Sequence, residues 1–249
     1  MIKIWCSYHN DNLIQEYKLD ELSNDYELFN TNNLHISNEN INHLNKYLNE
    51  YCTLYYVWKN NIKSDIIGFC HYRRKFNVID FNRINNNEIQ AYEIYETPAY
   101  NMFEDINYLG LGLYFDTILN YIKENYIEYY FDTINLFFDS NVCNRKKLIR
   151  ESFICNWNIF NDLMIFVNNF LKLQIFKKDI TDLSINDIDN ISLLLNEYQW
   201  NLREEFLSYK KHSNYTGDFL GYHRNIAFLI EYLIVLYFLI FHKNNYFTE

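Results

Sequence analysis

"SDIIGFCHYRRKF", residues 64–76, begins as one kind of structure and ends as another. Ile66-Ile67-Gly68-Phe69-Cys70 is an apolar run of strand length with no polar alternation, the pattern of a strand covered on both faces. It passes without a turn residue into His71, Tyr72, Arg73, Arg74 and Lys75. Upstream, "INHLNKYLNEYCTLYYVWKNN" places apolar residues at 41, 44, 48, 51, 54, 55 and 58. Spacings of three and four predict an amphipathic helix over 41–58, stopped by Lys59-Asn60-Asn61. A helix leading directly into a buried strand is half of a parallel βαβ unit. Residues 65–70 are therefore expected as a central strand, since no charge guards them as an edge requires.

Outward from this stretch, "IKIWCSY" (2–8) reads as an opening strand that runs into His9-Asn10-Asp11. Residues 11–46 are polar, with "LIQEYKL" and "DYELFN" as short ordered pieces. "IQAYEIYE" (89–96) is a further strand candidate before the single proline, Pro98. Residues 111–138 carry helical periodicity for two consecutive helices. "ESFICNW" is a second buried-strand candidate, followed by an apolar helix, "IFNDLMIFVNNFLKLQIF". Residues 184–207 read as helix, and "IAFLIEYLIVLYFLIFHK" (226–243) as a last, strongly apolar one. With no repeat, linker or composition boundary, the chain is expected as one domain over 1–249, sheet-rich over 1–110 and helix-rich over 111–249. The class is α/β, with a mostly parallel central sheet flanked by helices.

Composition narrows the partners. Hydrophobic residues make up 49% and aromatics 19% of the 249 residues, enough for a substantial core. The net charge of −10 argues against a nucleic-acid binder held by general attraction to phosphate. The richness in Asn, Ile and Tyr beside only 5 glycines follows A/T-rich coding, not disorder. Cysteines 6, 52, 70, 143 and 155 form no CxxC pair, and Cys6, Cys70 and Cys155 sit inside apolar runs, which suits a reducing, cytoplasmic setting. The N-terminus lacks the pattern of a signal peptide. The run 226–243 contains Glu231 and falls short of the about 20 residues a span needs, so a buried or interfacial helix, open to peripheral membrane contact, is expected over a true span.

In an open parallel sheet, ligands bind beyond the carboxyl ends of the strands. His9 and the group His71–Lys75 each follow a strand, so neighbouring strands would join them in one crevice. Arg73, Arg74 and Lys75 in an acidic chain suit an anion, and arginine suits phosphate through paired hydrogen bonds. Tyr72 or Trp58 could stack on a base or sugar. The competing reading pairs one arginine with a structural carboxylate and leaves the other solvated. Because strand side chains alternate, His71 and Arg73 are expected to line the crevice, with Arg74 bracing the loop or an acidic partner.

The two blocks together resemble a family of capsular and exopolysaccharide glycosyltransferases once described only as a domain of unknown function. Its first block, a helix reading about C-E-L-T-x-L-Y-W-x-W-K-N, is matched by Glu50, Leu54, Tyr55, Trp58, Lys59 and Asn60, with Cys52 and Tyr56 as departures. Its second, G-L-C-H-Y-R-R-Y-F, is matched by Gly68, Cys70, His71, Tyr72, Arg73, Arg74 and Phe76, with Lys75 replacing an aromatic. Weaker likenesses run through the opening strand to His9, through "YFDTILNYIKENYIEYY" with Asp116 in register, through "SFICNWNIF", and through "RNIAFLIEYL" with Arg224 and Glu231. The last two residues are expected to tie the final helix to the sheet.

The resemblance implies a GT-A-like fold that moves a sugar from a nucleotide-sugar donor, a UDP-sugar foremost, onto a glycan acceptor in polysaccharide or surface-glycan synthesis. It implies donor-binding roles for His9, His71, Tyr72, Arg73, Arg74 and Glu50. His9 would touch base or ribose or satisfy backbone groups, and Glu50 would contact ligand or pair with Arg73 or Arg74. An inverting reaction needs a carboxylate base; Asp116 is the candidate by register, with Glu104 and Asp105 behind it. Asp116 could equally be a carboxylate at a helix N-terminus. Where most GT-A enzymes place paired aspartates on Mn²⁺ or Mg²⁺, this strand ends in His-Tyr-Arg-Arg. That substitution implies reduced metal dependence, although Asp80, Glu104 and Asp105 leave a metal site open. Two other classes compete: a catalytically degenerate binder of nucleotide sugar or glycan, and a membrane-anchored interaction module.

Overall fold

The computed structural model describes residues 1–92, 94–96, 114–138, 146–148, 152–194, 225–243 and 245–247. The strands are β1 (Ile2–Tyr8), β2 (Tyr26–Asn30), β3 (Ile66–His71), β4 (Ile89–Ala91), β5 (Ile94–Glu96), β6 (Lys146–Leu148), β7 (Phe153–Asn156) and β8 (Tyr246–Phe247). The helices are α1 (Asn12–Glu16), α2 (Asn45–Leu48), α3 (Tyr51–Lys59), α4 (Phe81–Asn85), α5 (Phe115–Asn125), α6 (Tyr130–Phe138), α7 (Trp157–Phe170), α8 (185–194) and α9 (Asn225–Phe241). Six strands form one sheet in the order β2-β1-β3-β7-β4-β8, and β5 pairs with β6 apart from it.

β3 lies between β1 and β7, a central position as the apolar run predicts. β2, β1 and β3 are mutually parallel; β7 opposes β3 and β4, so it alone among these described strands runs against the rest. The sheet is thus mixed, and mostly parallel. Apolar patterning cannot give strand direction, which is why β7 was legible as a strand but not as a reversed one.

Alternation along the strands divides the core. Trp5, Ile67, Phe69, Phe153 and Cys155 enter the larger cluster with α3, α7 and α9, while Ile4, Cys6, Ile66, Cys70 and Ile154 enter a smaller one with Leu19, Phe76 and Ile84. Gly68 sits where these strands close on each other. A Cβ there would stand 2.9 Å from Ile154 Cγ1 and 3.0 Å from Ile4 Cγ1, so the second block needs glycine at this position. Cys6, Cys52, Cys70 and Cys155 are buried and form no disulfide among the described residues, and Cys143 lies outside them.

Two expected elements are broken. The single helix over 41–58 is instead a 3₁₀ turn (Asn42–Leu44), α2 and α3, parted at Asn49 with φ 47° and ψ −126°. This left-handed kink costs energy for a non-glycine residue, and it gives the two pieces different partners: α2 packs on α9 and α3 on α7. The strand over 89–96 is likewise two, because β4 and β5 belong to different sheets. β8, only two residues, was too short for any periodicity to announce.

Capping and side-chain ties hold the helices in place. Asn156 caps α7 by accepting from Ile159 N–H at 3.0 Å, and Asp80 caps α4 through Arg83 N–H at 3.1 Å. Trp58 Nε1–H donates to Asn161 of α7 at 3.2 Å. Asn60 donates to the Glu39 carbonyl at 2.7 Å, and Lys59 pairs with the Glu39 carboxylate at 3.4 Å. The Trp-Lys-Asn part of the first block therefore anchors α3. α9 is apolar on almost every side and buried accordingly. Among the described residues no helix is long and apolar enough to cross a membrane.

Candidate functional site

The register places Ser7 beside His71 and Tyr8 beside Asn30, so the carboxyl ends of β2, β1 and β3 stand in a row. His9 and the cationic group are thereby joined as expected. A tight turn closes β3: Arg74 N–H donates to the His71 carbonyl at 2.7 Å, and Tyr72 N–H to the Ser7 carbonyl at 3.1 Å. Consecutive residues then leave on opposite faces. His71 follows Ile67 and Phe69 toward α3, while Tyr72 follows Ile66 and Cys70 toward α1.

On the α3 face, Ser7 and Thr53 hydroxyls share a buried hydrogen bond of 2.7 Å that fixes α3 against β1. Glu50, at the start of α3, does not cap its own helix and reaches His71 Nε2 at 3.2 Å. Glu50 therefore pairs with the histidine, where an arginine was the expected partner. The turn supplies the other contact, since Arg73 N–H donates to His71 Nδ1 at 3.3 Å. With Nδ1 accepting, the ring proton resides on Nε2, the nitrogen nearest Glu50.

On the other face, Tyr72 is buried and meets His9 and Tyr17 edge-on, at 5.6 and 4.8 Å between centroids. Arg73 is exposed and lies over the Tyr72 ring at 5.1 Å. Lys75 is used by the fold, donating to the Tyr17 carbonyl at 2.6 Å. Among the described residues, the guanidinium groups of Arg73 and Arg74 have no carboxylate within ion-pair reach. The reading in which one arginine serves a structural carboxylate finds no partner there; Arg74 braces the turn through its backbone alone. Tyr17, Ser7 and Thr53 were missed in sequence, because nothing in their local pattern separates them from ordinary strand and helix residues.

Burial holds His71 well below the ordinary histidine value, at about 4; Glu50 opposes this, while Arg73, Arg74 and His9 add to it. The ring is thus neutral at pH 7. Its folded value lies below its unfolded one, so the unfolded chain takes up this proton first on acidification. The corresponding stability is present in full above about pH 6.5 and is lost as pH falls toward about 4. Urea midpoints followed between pH 6.5 and 4 are expected to fall less steeply in His71→Gln than in the parent chain. Parallel slopes would show that His71 does not titrate this way.

Of the carboxylates expected for chemistry, only Asp116 falls among the described residues. Asp116 is exposed in the first turn of α5, whose buried residues face α7, and it has no hydrogen bond or ion pair to the cluster among the described residues. Asp80 caps α4. Glu104, Asp105 and Arg224 lie outside the described residues, and Glu231 is half-buried on α9. Among the described residues no three His, Cys, Asp or Glu side chains stand together as a metal site.

A family model, "Domain of unknown function (DUF4422)", matches residues 23–169, more than half of the chain and including both blocks. The chain belongs to this family. No curated protein matches it. Among solved structures, the apo form of WbbM, a bifunctional glycosyltransferase, is similar with a TM-score of 0.50 at 14% identity, over 81% of this chain and 43% of that one. At that identity the likeness concerns the fold: a GT-A-like α/β fold is shared with part of a glycosyltransferase. This chain spans less than half of the WbbM chain it matches. Within the family match, residues 50–60 and 68–76 divide the labour, the first placing α3 and the second forming the strand end.

Proposed function

We propose that this member of the family is a glycosyltransferase domain that binds a nucleotide-sugar donor, foremost a UDP-sugar, at the carboxyl ends of β1 and β3. The observation that carries this reading is a pair of guanidinium groups without a carboxylate partner among the described residues, beside a neutral histidine at the end of a central strand. In a chain of net charge −10, two uncompensated cations at a sheet crest suit an anionic ligand. A departing nucleoside diphosphate requires such charge, and Arg73 and Arg74 would supply it with reduced need for Mn²⁺ or Mg²⁺. His9 and Tyr72 border the same crest and would line the nucleoside. The acceptor would be a glycan hydroxyl in polysaccharide or surface-glycan assembly on the cytoplasmic side.

Thermal unfolding against a panel of nucleotide sugars tests this, since a ligand of the folded state alone raises the melting temperature. A UDP-sugar is expected to give the largest shift; no shift with any nucleotide would remove the donor reading. Asp116 lacks a contact with the cluster among the described residues, and this favours a second reading, binding without turnover. Donor hydrolysis separates the two: a binder raises its melting temperature with the nucleotide sugar yet leaves it intact.

A further inference from the structure

The strand end holds opposite charges that have not neutralised each other. Arg73 and Arg74 act on His71 electrostatically, and Glu50 Oε1 stands 3.2 Å from Nε2 of that same ring. Yet neither arginine pairs with Glu50 among the described residues. The geometry explains the separation. Arg73 N–H holds Nδ1, the protonated Nε2 stands 3.2 Å from Glu50 Oε1, and the imidazole lies between the carboxylate and the turn bearing the cations. Glu50 Oε2 makes no hydrogen bond among the described residues, and the side chain retains 20% of its surface. Neither ring nitrogen is then free to accept from a ligand, so the open acceptor here is the carboxylate oxygen. Asn49 fixes this aim from behind, because its left-handed backbone sets the start of α3.

We propose that Glu50 accepts a hydrogen bond from a sugar hydroxyl of the ligand whose phosphates Arg73 and Arg74 hold, with His71 as the residue that positions the carboxylate. This rests on the donor reading above and adds a polarity to it. A ligand joining an anion to neighbouring hydroxyls satisfies both ends of the site, whereas a bare anion satisfies one and meets repulsion at the other. The hydroxyl could belong to the ribose or to the transferred sugar.

Calorimetric titration of UDP, 2′-deoxy-UDP, a UDP-hexose and inorganic pyrophosphate into the parent chain, Glu50→Gln, Glu50→Ala, His71→Gln and His71→Ala tests this. A hydrogen bond to a charged group supports a discrimination of about ten- to hundredfold. If the ribose is read, the parent prefers UDP to its deoxy form by that factor; if the hexose is read, it prefers the UDP-hexose to UDP. Either preference is expected to vanish in both Glu50 variants, to weaken in His71→Ala and to return in His71→Gln, which keeps an N–H donor. Pyrophosphate is expected to bind the Glu50 variants at least as tightly as the parent, because a negative charge has gone. A preference that persists undiminished in folded Glu50→Gln, or its absence from the parent, overturns the role of Glu50 while leaving the donor reading standing. A parent chain that binds none of the nucleotides removes both.

Discussion

Arg73→Ala combined with Arg74→Ala is expected to weaken nucleoside-diphosphate binding by about 3–6 kcal/mol, taking each lost charged hydrogen bond as about 1.5–3 kcal/mol. Neighbouring groups need not contribute additively, so the single variants belong in the same titration. Neither guanidinium supports an ion pair among the described residues, and Arg74 braces the turn through its backbone N–H. The fold should therefore tolerate the change, and the melting temperature without ligand checks that it does. A chelator added to the same titration divides the charge between protein and ion. Binding that survives chelation in the parent and disappears in the double variant assigns the neutralising role to the arginines. Loss restored by Mn²⁺ or Mg²⁺ assigns it to an ion, and a double variant that binds like the parent removes both residues from the site.

Phe166→Ala is expected to destabilise the protein by about 3–5 kcal/mol, the range for a buried phenylalanine whose cavity cannot fully collapse. Phe166 lies on α7 at 1% exposure and meets the rings of Tyr121, Tyr126, Tyr237 and Phe241 at 5.4 to 5.7 Å between centroids. Those rings come from α5, the turn after it, and α9, so one side chain joins three helices that sequence leaves far apart. Pairs of this kind add to area burial, and the Tyr121 hydroxyl also donates to the Phe166 carbonyl at 3.4 Å. Urea unfolding measures the loss as a lower midpoint. A loss below about 1 kcal/mol would mean that the layer repacks around the gap.

The amino-acid sequence determined a good deal by itself. The unbroken apolar run 66–70 fixed a doubly covered strand, because any polar alternation would have marked one open face. The cluster of Arg73, Arg74 and Lys75 in an otherwise acidic chain raised the expectation of a local anion site. The two blocks marked the family. Tertiary structure decided the rest through groups that meet only across the fold. Glu50 and His71 are 21 positions apart, and only the kink at Asn49 and the register of β1 with β3 bring carboxylate and imidazole to 3.2 Å. The direction of β7 and the split of 89–96 between two sheets follow the same logic. Periodicity reports which side of an element is buried; it carries nothing about what covers it, since that is chosen by packing between segments distant in the chain.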